Sequence, residues 1–447
     1  MTEVFRHNSY LSWLELVLTE RFGFDFCLLR TERGLELKLP DRNGCVIFDT
    51  EYDGFNKAMS DLPCCMWDAT EEGWVSALGK PLPMPGVENI PSPLIEKKDE
   101  DIIVHYDILG LTYWMLARIE EIGRTDLDAH QRFPAKNSHA FKFGYLNRPI
   151  IDEWLHILGQ VIQRQFLGLE LKSHYFQLYV SHDVDRPSRF GFANIKNLSF
   201  RIVGDVVRGN LLSALSGPWV RMKTGSQLHP WDRFNKFDWI MDVSESYGLK
   251  SSFNFICGNT SSLDADYDLG HPAIRDLLRK ISSRGHEIGL HPSYNTFDNP
   301  NELKREAEVL KKVCAEEGIR QIRWGGRMHY LRWKHPDTLC SWANASMDYD
   351  STLGYADHAG FRTGSCFEYP AYDAISGKIL PLRIRPLIAM EQTFFNSSYM
   401  GLGVNQTLGV LLDLKNKCRI LGGNFTLLWH NSELDGRKNL YKQVVSV

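Results

Sequence analysis

Four acidic or histidine side chains lie where strand-like runs of the sequence end. Asp183 and Asp185 end the run FQLYVSHDVD, His291 ends HEIGLH, and His430 ends NFTLLWH. Two neighbouring carboxylates can divide a reaction between them, because one can bind a metal ion while the other accepts a proton from water. Histidine can bind the same ion or act as a general acid. For each residue alone, an Asp-rich turn or a hydrogen-bonded core histidine is the structural alternative, but the set indicates metal-assisted hydrolysis.

Two further polar residues are candidates for the same site. Asn295 follows His291 by four residues and could face the same ion. Arg327 lies in the run WGGRMHYLRW, where two glycines allow a close backbone path and a guanidinium can brace a carboxylate. His329 and Tyr330 follow in this aromatic-rich run, for which packing is the alternative interpretation.

The second half of the chain alternates short apolar strands with helices, and this arrangement must position the candidate residues. Pro272 begins one predicted helix and Gly285 ends it, while Asn299 and Pro300 begin the next and Gly318 follows its end. Strands separated by helices predict a parallel sheet or barrel, in which reacting groups gather at the carboxyl ends of the strands. We therefore expect the four residues at the strand ends to converge.

Length and composition describe an ordinary globular protein. The 447 residues are 43% hydrophobic and 24% charged, which excludes a disordered or fibrous chain and suggests two domains, over residues 1–170 and 171–447. A net charge of −4 argues against a generally basic nucleic-acid-binding surface. Residues 1–20 contain three glutamates and no uninterrupted apolar core, so no secretory signal is expected and a cytoplasmic location is predicted.

Taken together, the four motifs resemble the motifs of one protein family. Their order, SHDVD (181–185), GHEIGLHPSYN (285–295), GRMHY (326–330) and LWH (428–430), resembles the polysaccharide deacetylases, carbohydrate esterase family four. The resemblance covers roughly residues 175–435 and implies an α/β fold, a distorted parallel (β/α) barrel. A smaller α/β domain over residues 1–170 would precede it, similar to the accessory region of some deacetylase-like proteins in bacterial surface-polysaccharide loci.

The resemblance also implies a role for each candidate residue and an activity. The roles are catalysis by Asp183 as base, His430 as acid and Arg327 as the residue that orients the base, and metal binding by Asp185, His291 and Asn295. The implied ion is divalent, Zn²⁺ first and Co²⁺ or Ni²⁺ as alternatives. The implied reaction is hydrolysis of a sugar N-acetyl group in bacterial surface-polysaccharide biosynthesis. Asn295 stands where the family has a second histidine, which leaves open a catalytically inactive binding or scaffold protein. A related amide hydrolase of the deformylase type is a further alternative.

One basic segment suggests which binding partners the protein could have. Residues 186–223 contain seven basic residues and one acidic residue, a local charge of +6. Ile195, Leu198, Ile202 and Val206 recur within it at helical spacing. Such a helix could bind to an anionic bilayer or bind a pyrophosphate-linked substrate. A helix packed over the barrel is the alternative. The expected partners are an N-acetylated sugar linked to a nucleotide or a lipid, no nucleic acid, and peripheral contact with the inner membrane face through this segment.

Overall fold

The computed structural model describes residues 9–446, and its first part is built around a five-stranded sheet. The sheet has the order β1-β2-β3-β7-β6, and its only parallel pair among the described residues is β3 with β7, while β4 and β5 form a separate hairpin. The helices here are α1 (Ser9–Phe22), α2 (Ile108–Leu116), α3 (His139–Lys142) and α4 (Ile150–Gln165). The strands are β1 (Cys27–Thr31), β2 (Gly34–Lys38), β3 (Val46–Phe48), β4 (Cys64–Trp67), β5 (Leu82–Pro85), β6 (Ile95–Lys98) and β7 (Asp101–Val104).

The second part is built around a nine-stranded sheet with the order β13-β14-β12-β11-β10-β9-β8-β16-β15. Its strands are β8 (Gln177–Val184), β9 (Ser251–Ile256), β10 (Glu287–His291), β11 (Gly325–Gly326), β12 (Tyr349–Asp350), β13 (Tyr369–Asp373), β14 (Lys378–Ile384), β15 (Ala389–Met390) and β16 (Asn424–Leu428). All neighbours pair in parallel except β13 with β14. The predicted α/β class is confirmed.

Nine helices accompany these strands among the described residues. They are α5 (Ile195–Val207), α6 (Leu211–Lys223), α7 (Phe237–Ser246), α8 (Pro272–Ser283), α9 (Pro300–Glu316), α10 (Asp337–Asn344), α11 (Glu391–Phe395), α12 (Val404–Ile420) and α13 (Lys438–Val445). The predicted starts of α8 and α9 are confirmed: Pro272 opens the first, and the Asn299 side chain accepts a hydrogen bond from the Glu302 backbone N–H at the start of the second. Within residues 9–446 no helix combines the length and apolar character needed to cross a membrane.

One stretch of chain connects the two ends of the nine-stranded sheet. Strand β14 pairs with β12, and the chain then runs directly into β15, which pairs with β16. Between them the Arg385 N–H donates to Asp350 O at 2.9 Å and the Ile388 N–H donates to Thr426 O at 3.1 Å. Residues 378–390 thus pair with β12 at their start and with β16 at their end.

The two parts share a hydrophobic core that extends from α1 to α13. The indole N–H of Trp13 donates to Pro370 O at 2.9 Å. Glu121 and Arg362, both buried, form an ion pair at 2.6 Å. Removal of either partner would leave a buried charge unpaired, so each part of the chain supplies a charge that the other part requires. The domain boundary near residue 170 stays a prediction.

Candidate metal centre

The carboxyl ends of the parallel strands bring five of the six predicted site residues together. Asp183 and Asp185 lie at the end of β8, His291 ends β10, Arg327 follows β11, and His430 follows β16. Nε2 of His291 lies 3.2 Å from Asp185 Oδ1 and 3.9 Å from Asp183 Oδ2, and Nε2 of His430 lies 3.6 Å from Asp185 Oδ2. Residues far apart in sequence therefore share one site, as the strand-end pattern predicts.

The sixth predicted residue, Asn295, lies elsewhere, and its assignment as a metal ligand needs correction. Its side chain is exposed; Nδ2 donates to Thr260 O at 2.8 Å, and Oδ1 accepts from Arg332 Nη1 at 3.2 Å. After β10 the chain forms a short 3-10 helix over Tyr294–Thr296 and does not continue along the strand direction. In this turn both polar atoms of the Asn295 side chain are taken up by Thr260 and Arg332, despite the four-residue spacing from His291.

His329 occupies the place expected for a third ligand. Its Nε2 lies 3.8 Å from Asp185 Oδ1, and the ligand atoms of Asp185, His291 and His329 all lie within 4.8 Å of one another. The alternative that His329 only packs against aromatic neighbours is therefore incomplete. The sequence does not indicate whether the side chain of His329 or that of Tyr330 reaches the centre, since both follow Arg327 in one irregular loop.

Hydrogen bonds at Nδ1 orient all three histidines so that Nε2 faces the centre. His291 Nδ1 donates to Arg327 O at 2.6 Å, His329 Nδ1 lies 2.9 Å from Asp264 Oδ1, and His430 Nδ1 lies 2.6 Å from Glu391 Oε1. A histidine whose Nδ1–H is bound in this way presents the Nε2 lone pair to a metal when the ring is neutral. Neither Asp264 nor Glu391 was expected at the site from the sequence. Glu391 follows the apolar run LIAM, so the strand-end pattern could have found it, whereas Asp264 lies in a loop with no such signal.

The donor set fits a divalent ion. Asp185 Oδ1 makes no hydrogen bond although it is buried, and the closest of the three histidine nitrogens is Nε2 of His291 at 3.2 Å. Ligand distances of ~2.0–2.1 Å in a tetrahedral zinc site separate neighbouring donor atoms by roughly 3.3 Å. The separations of 3.2 and 3.8 Å from Asp185 Oδ1 to His291 and His329 are close to that value. One carboxylate and two imidazoles with one open position is also a composition found in catalytic zinc sites.

Asp183 is held as a carboxylate by its neighbours. Arg327 Nη1 donates to Asp183 Oδ1 at 3.0 Å, and Asn254 Nδ2 donates to the same oxygen at 2.7 Å. Burial by itself raises the pKa of Asp183, but the Arg327 guanidinium and the nearby histidines lower it further, so the net pKa is below the usual value. Arg327 is fixed in turn by Ser181 and Ser351. Asp183 is therefore ionised and able to accept a proton.

His430 has the opposite character because it faces three carboxylates. Burial lowers its pKa, but Glu391, with Asp185 and Asp183, raises the pKa to about 10 in the metal-free chain. Asp183 and Asp185 likewise raise the pKa of His291 above its usual value despite burial. A protonated His430 presents Nε2–H toward the centre and can donate that proton.

Residues from the first part of the chain support the loop that carries His329. Tyr330 adopts the left-handed region, with φ 61° and ψ 13°, which is costly for a bulky residue. Arg132 Nη1 donates to Tyr330 O at 2.8 Å, and Arg332 Nε donates to His130 O at 2.9 Å. The first part of the chain therefore stabilises the strained loop at the site.

Two cavities surround the strands. One of about 100 Å³ lies behind the site and is lined by residues of β8 to β12 and β16, including Ser181, Asn254 and Arg327. Another of about 920 Å³ lies at the amino ends of the strands, where Gln177 and Asn424 line it, and contains none of the predicted site residues. The titratable groups meet at the carboxyl ends of the strands, away from the larger cavity.

Comparisons with known proteins identify one domain family and two weak structural likenesses. Residues 49–167 match a family of unknown function, DUF7033. No curated protein matches the chain. A polysaccharide deacetylase structure from Mycobacterium smegmatis is similar over 62% of this chain and 84% of its own, with 14% identity and a TM-score of 0.38. Puue allantoinase is similar over 61% of this chain and 83% of its own, with 13% identity and a TM-score of 0.35.

Proposed function

We propose that this protein is a metal-dependent hydrolase that removes the N-acetyl group of a sugar in bacterial surface-polysaccharide biosynthesis. The observation that carries the proposal is the group formed by Asp185, His291 and His329, with ionised Asp183 and protonated His430 beside it. A purely structural role leaves unexplained why the Nε2 atoms of His291 and His329 both face Asp185 Oδ1, a buried oxygen that has no hydrogen bond.

Asp185, His291 and His329 would hold the ion. A divalent cation held there, Zn²⁺ or alternatively Co²⁺ or Ni²⁺, would supply a Lewis acid for the acyl carbonyl oxygen and would lower the pKa of water toward neutral pH. Asp264, through its contact with His329 Nδ1, fixes the orientation of that ring.

Asp183 and His430 would divide the proton transfers. Asp183 takes a proton from the attacking water, whose oxygen forms a bond to the carbonyl carbon. His430 gives its Nε2 proton to the departing amine nitrogen as the carbon–nitrogen bond breaks, and acetate and an amino sugar result. Arg327 holds Asp183 in position and keeps it ionised, and Glu391 keeps His430 protonated until the amine leaves.

The inactive-scaffold alternative loses its main argument. It rests on Asn295 standing in place of a second histidine ligand, whereas the Asn295 side chain binds Thr260 and Arg332, and His329 supplies a third ligand atom beside Asp185 and His291. The motif resemblance to polysaccharide deacetylases supports an acetyl group as the acyl group, and a related amide hydrolase of the deformylase type remains the second candidate. For the substrate we propose an N-acetylated sugar carried on a nucleotide or a lipid, and for the location the cytoplasm.

We also propose that the sheet of the second part is a distorted parallel barrel. Two observations support it: residues 378–390 pair with β12 and then with β16, and one small cavity is lined by residues from β8, β9, β10, β11, β12 and β16. A barrel would surround such a cavity on all sides, whereas an open sheet would not.

Acetate release tests the reaction. The purified, zinc-loaded protein is incubated with nucleoside-diphosphate-linked and lipid-linked N-acetyl sugars and with their N-formyl analogues, and the free acid is measured. We expect acetate from at least one N-acetyl substrate. Asp183→Asn should bind zinc as the wild type does but lower kcat by about 10²- to 10⁴-fold, because only the base is lost. Formate release without acetate would select the deformylase alternative, and no acid from any substrate would reject the proposal.

A further inference from the structure

The helices that follow β8 differ from the other helices of the second part in what they bury. Helix α5 buries a single side chain, Asp205, and helix α6 buries only Ala214, Gly217 and Val220. No residue of 195–223 contributes to the large hydrophobic core of the described chain. We call residues 195–223 the α5–α6 hairpin.

The surface of the α5–α6 hairpin is strongly apolar. Ten large apolar side chains within it are at least 45% exposed, more than a third of the 27 exposed large apolar side chains among the described residues. These ten are Ile195, Phe200, Val203, Val206, Val207, Leu211, Leu212, Leu215, Trp219 and Met222. Single exposed apolar residues are ordinary, but a concentration of this size marks a surface that binds a partner.

The exposed charges on the hairpin are of one sign. Lys196, Arg208, Arg221 and Lys223 are exposed. The only acidic residue, Asp205, is fully buried and paired with Arg189 at 2.5 Å. Apolar side chains with only basic charges among them complement a surface that is anionic outside and apolar beneath. The whole chain carries a net charge of −4, so this local positive charge is not a consequence of overall composition.

The hairpin lies on the side of the protein that carries the metal centre. It begins shortly after the carboxyl end of β8, and Arg201 Nη2 lies 2.6 Å from Asp266 Oδ2. Asp266 belongs to the same connection as Asp264, which contacts His329. A surface bound by the hairpin therefore lies near the mouth of the site.

We propose that the α5–α6 hairpin docks this protein onto an anionic phospholipid membrane, with its apolar side chains in the interfacial layer and its basic side chains at the headgroups. The inference stands on residues outside the metal centre and goes beyond the proposed hydrolysis, and its failure would leave that reaction untouched. It favours a lipid-linked substrate over a nucleotide-linked one, because the docked site would face the membrane surface.

Vesicle flotation of the full chain tests the proposal. The probes are vesicles of phosphatidylglycerol and phosphatidylcholine in equal parts, and vesicles of phosphatidylcholine alone. We expect flotation with the anionic vesicles, weakened by salt, and little with the neutral ones. Equal flotation with both, or flotation with neither, would overturn the proposal.

Two sets of variants assign binding to the hairpin. The triple variant Phe200→Ser, Leu212→Ser and Leu215→Ser should bind at least tenfold more weakly, because it removes apolar surface from the interface. The charge variant Lys196→Gln, Arg208→Gln and Lys223→Gln should lose about fivefold per charge, roughly a hundredfold in all. Both should fold as the wild type does, since none of these side chains is in the core.

The matched control replaces exposed apolar residues elsewhere. Ile322, Leu167 and Ile420 are 99%, 77% and 52% exposed, and their replacement by serine should leave vesicle binding unchanged. An equal loss in this control would overturn the assignment to the hairpin. Sedimentation equilibrium without vesicles tests for a second copy of the chain as the occupant. A dimer that the Phe200, Leu212 and Leu215 replacements dissociate would replace the membrane proposal.

Discussion

The choice between His329 and Asn295 as the third ligand can be decided by zinc affinity. The perturbation is a pair of single substitutions, His329→Ala and Asn295→Ala. His329 Nε2 lies 3.8 Å from Asp185 Oδ1, within the group of three ligand atoms, whereas the Asn295 amide binds Thr260 and Arg332. Only the first substitution removes a donor from the proposed coordination sphere.

The expected magnitude follows from the contacts of His329. Loss of an outer partner of a ligand typically weakens metal binding 10- to 100-fold, or about 1.4 to 2.7 kcal/mol. Asp264 is such an outer partner, so Asp264→Asn should fall in that range. His329→Ala removes the ligand itself and should exceed the effect of Asp264→Asn, and Asn295→Ala should change zinc affinity less than twofold.

The assay is a competition titration of the metal-free protein against a chromophoric zinc chelator. Thermal unfolding of the metal-free variants serves as the folding control, because a variant that is simply destabilised would unfold at lower temperature without zinc. If Asn295→Ala weakened zinc binding as strongly as His329→Ala, or if His329→Ala bound zinc as tightly as the wild type, the proposed ligand set would be wrong.

Three further predictions concern charge. Glu391→Gln should lower the pKa of His430, because Glu391 is the carboxylate that raises it most, so the basic limb of the kcat–pH profile of the zinc-loaded protein should move to lower pH; an unmoved limb would exclude His430 as the proton donor. Burial lowers the pKa of His139 to about 4, so the unfolded chain binds its proton more tightly. His139 should therefore contribute about 2 kcal/mol to the fall in the free energy of unfolding between pH 7 and pH 5, and urea titrations of His139→Gln should show a fall smaller by about that amount. Glu121→Gln should lower the free energy of unfolding by about 3 to 5 kcal/mol in the same titration, because it leaves Arg362 buried without its partner; a change below 1 kcal/mol would contradict the importance of this ion pair.

Strand ends and helix boundaries could be predicted because their signals are local. Pro272 and Asn299 mark helix starts by a fixed φ and by a side-chain cap, both of which act within one turn. Asp183, Asp185, His291 and His430 share a site for a similarly simple reason, since parallel strands place their carboxyl ends at one edge. The amino acid sequence by itself thus determined the α/β class and where this edge of the sheet would carry charge.

The tertiary structure decided which loop side chains reach the centre. Asn295 and His329 both lie in irregular segments after strands, where no periodicity specifies direction; a 3-10 turn separates one from the site, and a strained backbone held by Arg132 presents the other. Asp264 likewise meets His329 only because the chain folds. The exposure of the α5–α6 hairpin was also decided in three dimensions. Its apolar spacing specifies an amphipathic helix, but whether that face meets a core or solvent depends on what the rest of the chain places beside it.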